Sequence, residues 1–326
     1  MNTTGFARYA GAFAALAMCS ACGGSGIAPS NPALGGGYLG TAASVGRVPG
    51  VAAFLPDPTS KSKTFEYIVD DYGSYASIFD YPKSDKQIGK IADVGGQACT
   101  NVLYGYGKKN FWIVAGSDQI AEYAAPKKLI KTLSVPPAQM PSSCAWNTNG
   151  DLVVGILDGS ESGDLVIFKN ASGSGTFIST PLAQEYFEGY DNKGNLFFDG
   201  ISHDDTSQLD EMPKGTTKIQ TITTSNAIRL PGSVQWDGTY LTVTDMEASA
   251  MYRYTIAGTQ ATLESTVSLK GASQCTQTWI AKGIVFCADA GNNGGEIFKY
   301  PAGGSPIATF KGKFDLPLGT VAVKND

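Results

Sequence analysis

Short apolar runs that alternate with polar positions every second residue recur along the chain from about residue 60 onwards. Each run is followed by a polar turn rich in Asp, Ser and Gly, then by a second alternating run and a Pro or Gly. A period of two is typical of half-buried β-strands rather than of helices. Six such segments lie at 65–82, 111–126, 152–173, 196–215, 240–258 and 284–304.

The segments recur at a nearly constant interval. Equivalent positions at the end of the second run are Tyr81, Tyr123, Phe168, Met212, Tyr254 and Tyr300, with gaps of 42, 45, 44, 42 and 46 residues. A period near 44 with four short strand signals per unit is typical of a β-propeller, since solenoids of that period are helical. The pattern therefore predicts an all-β fold, a six-bladed propeller of four-stranded blades.

A propeller must close its ring, and two segments compete for the closing strand. The C-terminal stretch 316–326, LPLGTVAVKND, has the form of an inner strand with no blade after it. The stretch 48–55, VPGVAAFL, fits the same place. The sequence leaves both open.

The first residues differ from the rest. A single Arg precedes the ten-residue apolar run YAGAFAALAM, which is too short to span a bilayer, and small residues follow it. This is similar to a bacterial lipoprotein signal, in which a Cys after small residues becomes the acylated N-terminus. Cys22 fits this position better than Cys19, which follows a Met; ordinary secretion is the alternative. We therefore predict a signal peptide over 1–21.

Residues 22–50 form a stretch rich in Gly, Ala, Ser and Pro with almost no charge. Such a stretch buries too little apolar surface to offset the entropy of ordering it. We expect a flexible tether here, followed by the propeller domain over 51–326. The lipid would hold the domain at the cell envelope, in the periplasm or, where the host has one, on the outer membrane.

Composition narrows the list of partners. Charged residues make up 16% of the chain, with 24 Lys and Arg against 29 Asp and Glu, and a net charge of −5. Nucleic acids are recognised by clustered Lys and Arg, and the sequence shows only short basic pairs. We expect a monomer that contacts a membrane through its lipid and binds no nucleic acid, with an unidentified protein or glycan partner.

Four Cys follow the tether, and an even number in an exported protein favours disulfides. Cys275 and Cys287 flank a hairpin whose turn is expected near residue 281, which would place them directly opposite each other. Cys99 and Cys144 would then occupy the same point of the first strand in adjacent blades. Four buried thiols are the alternative, and a zinc site is disfavoured because this part of the chain has no Cys-x-x-Cys pair.

The motifs GIVFCADAGNN, with IFKY shortly after it, and LGTVAV resemble those of the NHL and SMP-30/gluconolactonase-like propellers. The resemblance covers about residues 60–326. It implies the propeller fold and a range of roles, from lactonase and lyase to protein-binding or RNA-binding module. The SMP-30-like lactonases hold a divalent ion with Glu, Asn and Asp from different blades, and no such set can be assigned to positions in this chain.

Polar turns offer candidate chemistry. His203, beside two Asp residues, has the side chain of a general base or metal ligand, but it lies in a predicted turn where polar clusters are common. The acidic stretches at 70–71, 203–205 and 289–296 contain oxygen ligands suited to Ca²⁺, without the spacing of an EF-hand loop. The alternative to calcium binding is that Asp and Asn in these turns form hydrogen bonds with nearby backbone groups. No cofactor and no catalytic residue are predicted.

Three tryptophans occur near the end of the first strand of their blades: Trp146, Trp236 and Trp279. Aromatic residues at that point can form the floor of a sugar or peptide pocket, or they can pack between blades. Two hypotheses result. The first is a non-catalytic binding or scaffold module for a protein, glycan or small ligand. The alternative is a metal-dependent lactonase or related hydrolase, which needs three convergent oxygen ligands.

Overall fold

The computed structural model describes residues 64–81, 85–115, 118–135, 140–157, 163–310 and 312–325. The predicted signal peptide, the tether and Cys22 lie outside the described residues. The strands run along the chain as β1 (Thr64–Asp70), β2 (Tyr75–Phe79), β3 (Gln87–Ala92), β4 (Val94–Thr100), β5 (Gly107–Lys108), β6 (Asn110–Ala115), β7 (Gln119–Ala124), β8 (Lys128–Ser134), β9 (Pro141–Trp146), β10 (Leu152–Leu157), β11 (Gly163–Phe168) and β12 (Thr176–Ser179). They continue as β13 (Leu182–Tyr190), β14 (Leu196–Ser202), β15 (Ser207–Met212), β16 (Gln220–Thr224), β17 (Pro231–Trp236), β18 (Leu241–Asp245), β19 (Ala250–Ala257), β20 (Gln260–Ser268), β21 (Cys275–Ala281), β22 (Ile284–Asp289), β23 (Gly294–Lys299), β24 (Ala308–Phe310) and β25 (Pro317–Lys324). One 3-10 turn, Lys169–Ala171, follows β11.

The strands form an all-β, propeller-like fold in which each meander runs outwards from the centre. Three sheets have four strands, ordered β4-β6-β7-β8, β9-β10-β11-β12 and β21-β22-β23-β24; one has five, β3-β2-β1-β25-β5; and one has eight, β13-β14-β15-β16-β20-β19-β18-β17. The expectation of six separate four-stranded blades is therefore wrong for the described residues. The eight-stranded sheet arises because β16 and β20 pair in parallel at Thr223 and Thr224, which joins two four-stranded meanders edge to edge.

The innermost strands surround a central channel. They contact one another in a closed cycle, from β25 to β4, β9, β13, β17 and β21, and back to β25. Six strands thus line the channel, while the hydrogen-bonded sheets around them number five. The closed cycle fixes where the C-terminal ends of these strands meet, which is where the candidate site lies.

The C-terminal strand closes the ring. β25 pairs antiparallel with β1, with Phe65 opposite Val323 and Tyr67 opposite Val321, so the end of the chain is the inner strand of the first sheet. The segment 316–326 therefore takes the closing position that the sequence left open. Its competitor, 48–55, lies outside the described residues.

Each of the six predicted segments is an antiparallel hairpin of a second and a third strand, from β1–β2 to β22–β23. The six equivalent residues chosen from the sequence are all buried at or just after the third strand. Side chains from neighbouring sheets interlock there; for example, Tyr81 meets Phe286 edge to face at 5.6 Å between ring centroids. Each large side chain buried in this way stabilises the fold by about 1.5–3 kcal/mol.

Both predicted disulfides form. Cys99 in β4 is bonded to Cys144 in β9, with Cα atoms 5.7 Å apart, and so joins two adjacent inner strands. Cys275 is bonded to Cys287, with Cα atoms 5.4 Å apart. The expectation that this second pair is directly opposed is wrong: Cys287 lies opposite Thr278, because the turn is at 282–283 instead of at 281. Cys275 lies beyond a bulge, opposite Asp289.

No helix in the described part of the chain is long and apolar enough to cross a membrane. The two disulfides are consistent with an exported protein, because such bonds persist in oxidising compartments.

Candidate ligand-binding site at the channel mouth

A cavity of about 420 Å³, counting the open space at its mouth, lies at one end of the central channel. It is formed by the C-terminal halves of five inner strands, β4, β9, β13, β17 and β21. We call it the mouth cavity. A second, smaller cavity, lined by Gly96, Ser142 and Leu318, lies near the N-terminal starts of the inner strands.

Two glutamines cross the channel between the cavities. The Gln277 side chain donates to the Ala98 carbonyl at 2.7 Å and accepts from the Thr320 amide at 2.8 Å. Gln97 donates to the Tyr186 carbonyl at 2.9 Å. The bonds to Ala98 and Tyr186 join inner strands that are not neighbours in the ring, so these side chains span the channel. The mouth cavity is therefore closed at its inner end by side-chain amides that are already hydrogen-bonded.

The three tryptophans selected from the sequence all line the mouth cavity. Trp146 ends β9, Trp236 ends β17, and Trp279 lies near the end of β21. The packing interpretation also holds in part: Trp279 is 6% exposed and belongs to a core cluster, and Trp146 lies 6.3 Å from Trp112 between ring centroids. Tyr190, which ends β13, adds a fourth aromatic side chain to the wall.

A loop that the sequence did not single out covers part of this cavity. Residues 101–106, here called the strap, leave β4 and reach across the channel to β17 and β21. The Leu103 carbonyl accepts from Gln235 at 3.0 Å, and the Gly105 amide donates to the Ile280 carbonyl at 2.8 Å. The Trp279 indole N–H donates to the Gly105 carbonyl at 2.7 Å. Leu103 and its neighbour Val102 line the cavity, so the strap forms a wall of it.

The tip of the strap faces outwards. Tyr104 is 47% exposed, and its ring lies against Gly238, where a Cβ would come within 2.8 Å of the ring. Gly238 has a φ of +102°, and Gly105 has a φ of +92°. Both positions therefore require glycine, one for the turn and the close approach, the other for the bend of the strap.

A buried acidic cluster adjoins the cavity wall. Glu188 lines the cavity and is 5% exposed, while Glu185 and Asp199 are fully buried behind it. Glu188 accepts from the Gly155 amide at 3.1 Å and from the Ser143 hydroxyl, and Ser143 is also 3.5 Å from Glu185. A bulge in β13 between Glu185 and Phe187 turns the two glutamates toward the same side.

Burial governs the protonation of this cluster. Loss of solvent raises the pKa of Glu188 to about 7, although the Ser143 hydroxyl, Glu185 and the Gly155 amide oppose the shift. Burial and the neighbouring Glu188 hold the pKa of Glu185 well above its usual range, and the pKa of Asp199 is raised for the same two reasons. Glu185 and Asp199 thus keep their protons at neutral pH, whereas Glu188, with the least raised pKa of the three, exchanges its proton near neutral pH.

The acidic turns have a structural use. Asp70, Asp245 and Asp289 each end the second strand of a meander. Asp289 accepts from the amides of Gln274 at 2.8 Å and Gly291 at 3.1 Å, which lie before the first strand and in the following turn. Asp245 and Asp70 accept from equivalent backbone amides. These carboxylates hold the turns by accepting hydrogen bonds from backbone amides, as expected for Asp and Asn in turns.

Other candidates lie away from the cavity. His203 is exposed in the turn between β14 and β15, beside the exposed Asp204 and Asp205. Among the described residues, one group of three potential metal-ligating side chains comes close enough to share an ion: Cys287, Asp289 and Glu296. The Cys287 sulfur is in a disulfide and Asp289 is occupied by amides. Calcium binding at the acidic turns stays a prediction.

No family model and no curated protein sequence matches the chain. Solved structures match over most of its length. A protein of unknown function from Bacteroides caccae is 10% identical with a TM-score of 0.60, covering 80% of this chain and 99% of that one. A chain of a nidogen/laminin complex is 11% identical with a TM-score of 0.65, covering 81% and 99%. A functionally unknown protein from Desulfotomaculum acetoxidans is 11% identical with a TM-score of 0.50, covering 81% and 89%. At these identities the similarity shows the propeller fold alone.

Proposed function

We propose that this chain is an exported, non-catalytic binding module whose mouth cavity takes a small ligand or a small group of a larger partner. One observation carries the proposal: three tryptophans from three separate inner strands converge on one cavity. Ligand sites are concave, mostly apolar and few per protein, and they use a small number of polar groups to fix orientation. The mouth cavity is concave and lined by these aromatic residues, and polar and apolar groups contribute about equally to its surface.

The wall of the cavity is preorganised. The Cys99–Cys144 disulfide lines it and ties β4 to β9, while Gln235 and Trp279 hold the strap. A rigid wall loses little conformational entropy when a ligand binds, and this favours affinity. The described residues therefore supply both the apolar surface and the rigidity that a binding module needs.

The proposed location is the cell envelope, with acylation at Cys22 and the 22–50 segment as a tether; secretion without an anchor is the alternative. Both disulfides support export. The intact mass of protein extracted from membranes tests the anchor. A mass equal to residues 22–326 plus acyl chains supports it, whereas an unacylated mass contradicts it and leaves a freely secreted binding protein.

The binding proposal is tested by screening a panel of oligosaccharides, short peptides and small amines for changes in tryptophan fluorescence. Wild type is compared with Trp236→Ala, which removes a half-buried cavity wall, and with Phe177→Ala, which removes an exposed side chain from the outer strand β12. We expect at least one compound to bind wild type and Phe177→Ala alike and to lose its affinity in Trp236→Ala. Binding that is equal in all three proteins contradicts the proposed site.

The lactonase alternative needs three convergent oxygen ligands in the channel. The group of three that the described residues bring together lies on β22 and β23 and includes a disulfide sulfur. With no observation favouring that alternative, we do not propose a reaction.

A further inference from the structure

The charge of the mouth cavity has one sign. Its lining, in the part of the chain that the structure describes, includes one acidic residue, Glu188, and no Lys, Arg or His; the Glu188 carboxylate is bonded to Ser143 and Gly155. Glu185 and Asp199 stand behind Glu188 in the buried cluster, and among the described residues no basic side chain is paired with any of the three. A carboxylate in a low-dielectric wall attracts cations far more strongly than one in water.

The aromatic lining favours the same kind of ligand. The face of a Trp or Tyr ring carries negative potential, and a cation over such a face gains about 0.5–2 kcal/mol, more when both are desolvated. Trp146, Trp236, Trp279 and Tyr190 approach the cavity from four different inner strands. Trp146 and Trp236 are partly exposed, whereas Trp279 and Tyr190 are nearly buried, so an organic cation in the cavity would meet mainly the first two.

The polar side chains argue against a ligand that needs many hydrogen bonds. The amides of Gln97, Gln235 and Gln277 are all bonded to main-chain groups of other inner strands or the strap. The Ser233 hydroxyl donates to the Thr278 carbonyl at 3.0 Å. A sugar entering the cavity would lose bonds to water and find most of these groups occupied, which costs affinity. A cation with an apolar surface needs few such bonds.

We infer that the mouth cavity binds an organic cation, a quaternary or protonated amine, with Glu188 as the counter-charge and the tryptophans as an aromatic cage. The inference rests on the proposed function, because it names the ligand class of that same cavity. Glu188 is held in place by Ser143 and Gly155. The carboxyl group is therefore held in position before the ligand arrives.

Calorimetry with a matched pair of probes tests the ligand class. Choline carries a quaternary ammonium group, and 3,3-dimethylbutan-1-ol has the same shape without the charge. We expect wild type to bind choline at least about tenfold more tightly than the neutral alcohol, which corresponds to about 1.4 kcal/mol. This comparison needs no variant, so it does not depend on whether a substituted protein folds.

Two variants locate the charge. Glu188→Gln is expected to lose most of the preference for choline, while Glu247→Gln, at an exposed glutamate, is expected to keep it. Equal affinity for both probes in wild type, or a preference for the neutral one, overturns the cation inference. If neither probe binds but a neutral compound binds in a Trp236-dependent way, the inference fails and the proposed function stands. If no compound depends on Trp236, both fail.

Discussion

The indole N–H of Trp279 donates a hydrogen bond of 2.7 Å to the carbonyl of Gly105, a residue 174 positions away in the chain. This bond joins the strap to β21 across the channel. The Gly105 amide donates to the carbonyl of Ile280, so the same peptide segment is held from both sides. The strap is thereby part of the cavity wall rather than a loose loop above it.

Replacing Trp279 by Phe keeps an aromatic ring in the wall and removes the donor. We expect the free energy of unfolding to fall by about 1 kcal/mol, because the Gly105 carbonyl loses its partner. Hydrogen exchange at the Gly105 amide should speed up by several-fold. Trp236→Phe is the matched control, since the described residues include no hydrogen bond from its indole. Unchanged exchange at Gly105 in Trp279→Phe would show that the strap is held by other contacts.

Gly155 makes room for the acidic cluster. A Cβ at this position would overlap the Glu185 carboxylate and the Ser143 hydroxyl. Gly155→Ala is expected to lower the free energy of unfolding by about 1–3 kcal/mol through overpacking. Gly89→Ala is the control, because its Cβ would meet Ile78 at an ordinary 3.4 Å. Urea unfolding of both variants checks the difference, and equal stability would contradict the packing described for the cluster.

Stability should fall as the pH rises from about 4.5 to 7. Burial raises the pKa of Glu188 and of Glu296 to about 7, from an ordinary value of 4.5, and that of Asp71 to about 7 from 3.8. The folded protein then holds protons that the unfolded chain has released, and each such group costs about 1–3 kcal/mol by the upper end of the window.

The melting temperature at a series of pH values measures this effect. Glu296→Gln, distant from the mouth cavity, should flatten the fall between pH 4.5 and 7. The exposed Glu247→Gln should leave it unchanged. Below about pH 3.8 the trend should reverse, because hydrogen bonds from Asn147 and Lys169 hold the pKa of Asp151 below its ordinary value, and its stabilising charge is lost there. A melting temperature that rises steadily from pH 4.5 to 8 would show that these buried carboxyl groups do not hold protons in the folded protein.

The two disulfides should differ in what they contribute. Cys99–Cys144 closes a separation of 45 residues and Cys275–Cys287 one of 12. The entropy of loop closure gives about 4 and about 3 kcal/mol respectively. Replacing each pair by Ala and measuring chemical denaturation should therefore show the larger loss for Cys99 and Cys144. When the unfolded protein is alkylated without reduction, none of the four cysteines should react, because all are in disulfides. Alkylation at any of these positions would refute the pairing.

The sequence predicted the structural features that recur from one repeat to the next. The hairpins, the spacing of buried residues such as Phe168 and Tyr254, and the Cys99–Cys144 bond follow from strand period and from equivalent positions in successive units. The grouping of Trp146, Trp236 and Trp279 follows in the same way, because equivalent positions on inner strands meet at one end of the channel.

The features that the sequence did not predict depend on irregular pairing of strands or on contacts between distant residues. Glu185 and Glu188 are three residues apart, which places them on opposite faces of a regular strand, and only the bulge in β13 brings them together. Cys275 does not lie opposite Cys287 because the hairpin turn is at 282–283 instead of at 281. The sequence of the strap, NVLYGY, does not predict that it crosses the channel, because its partners Gln235 and Trp279 are distant in sequence. The joining of two meanders by β16 and β20 is a contact of two residues and has no sequence pattern either.

The chain has four tryptophans. Three line the mouth cavity, and the fourth, Trp112, is only 1% exposed and packs against Trp146. Their indole N–H signals in a proton–nitrogen NMR spectrum, followed while choline is added, report whether a cation enters the mouth cavity. We expect saturable shifts for Trp236 and Trp279, a shift for Trp146, and a nearly fixed signal for Trp112. Indole signals that stay in place while choline binds, as measured by calorimetry, would show that the cation binds outside the mouth cavity.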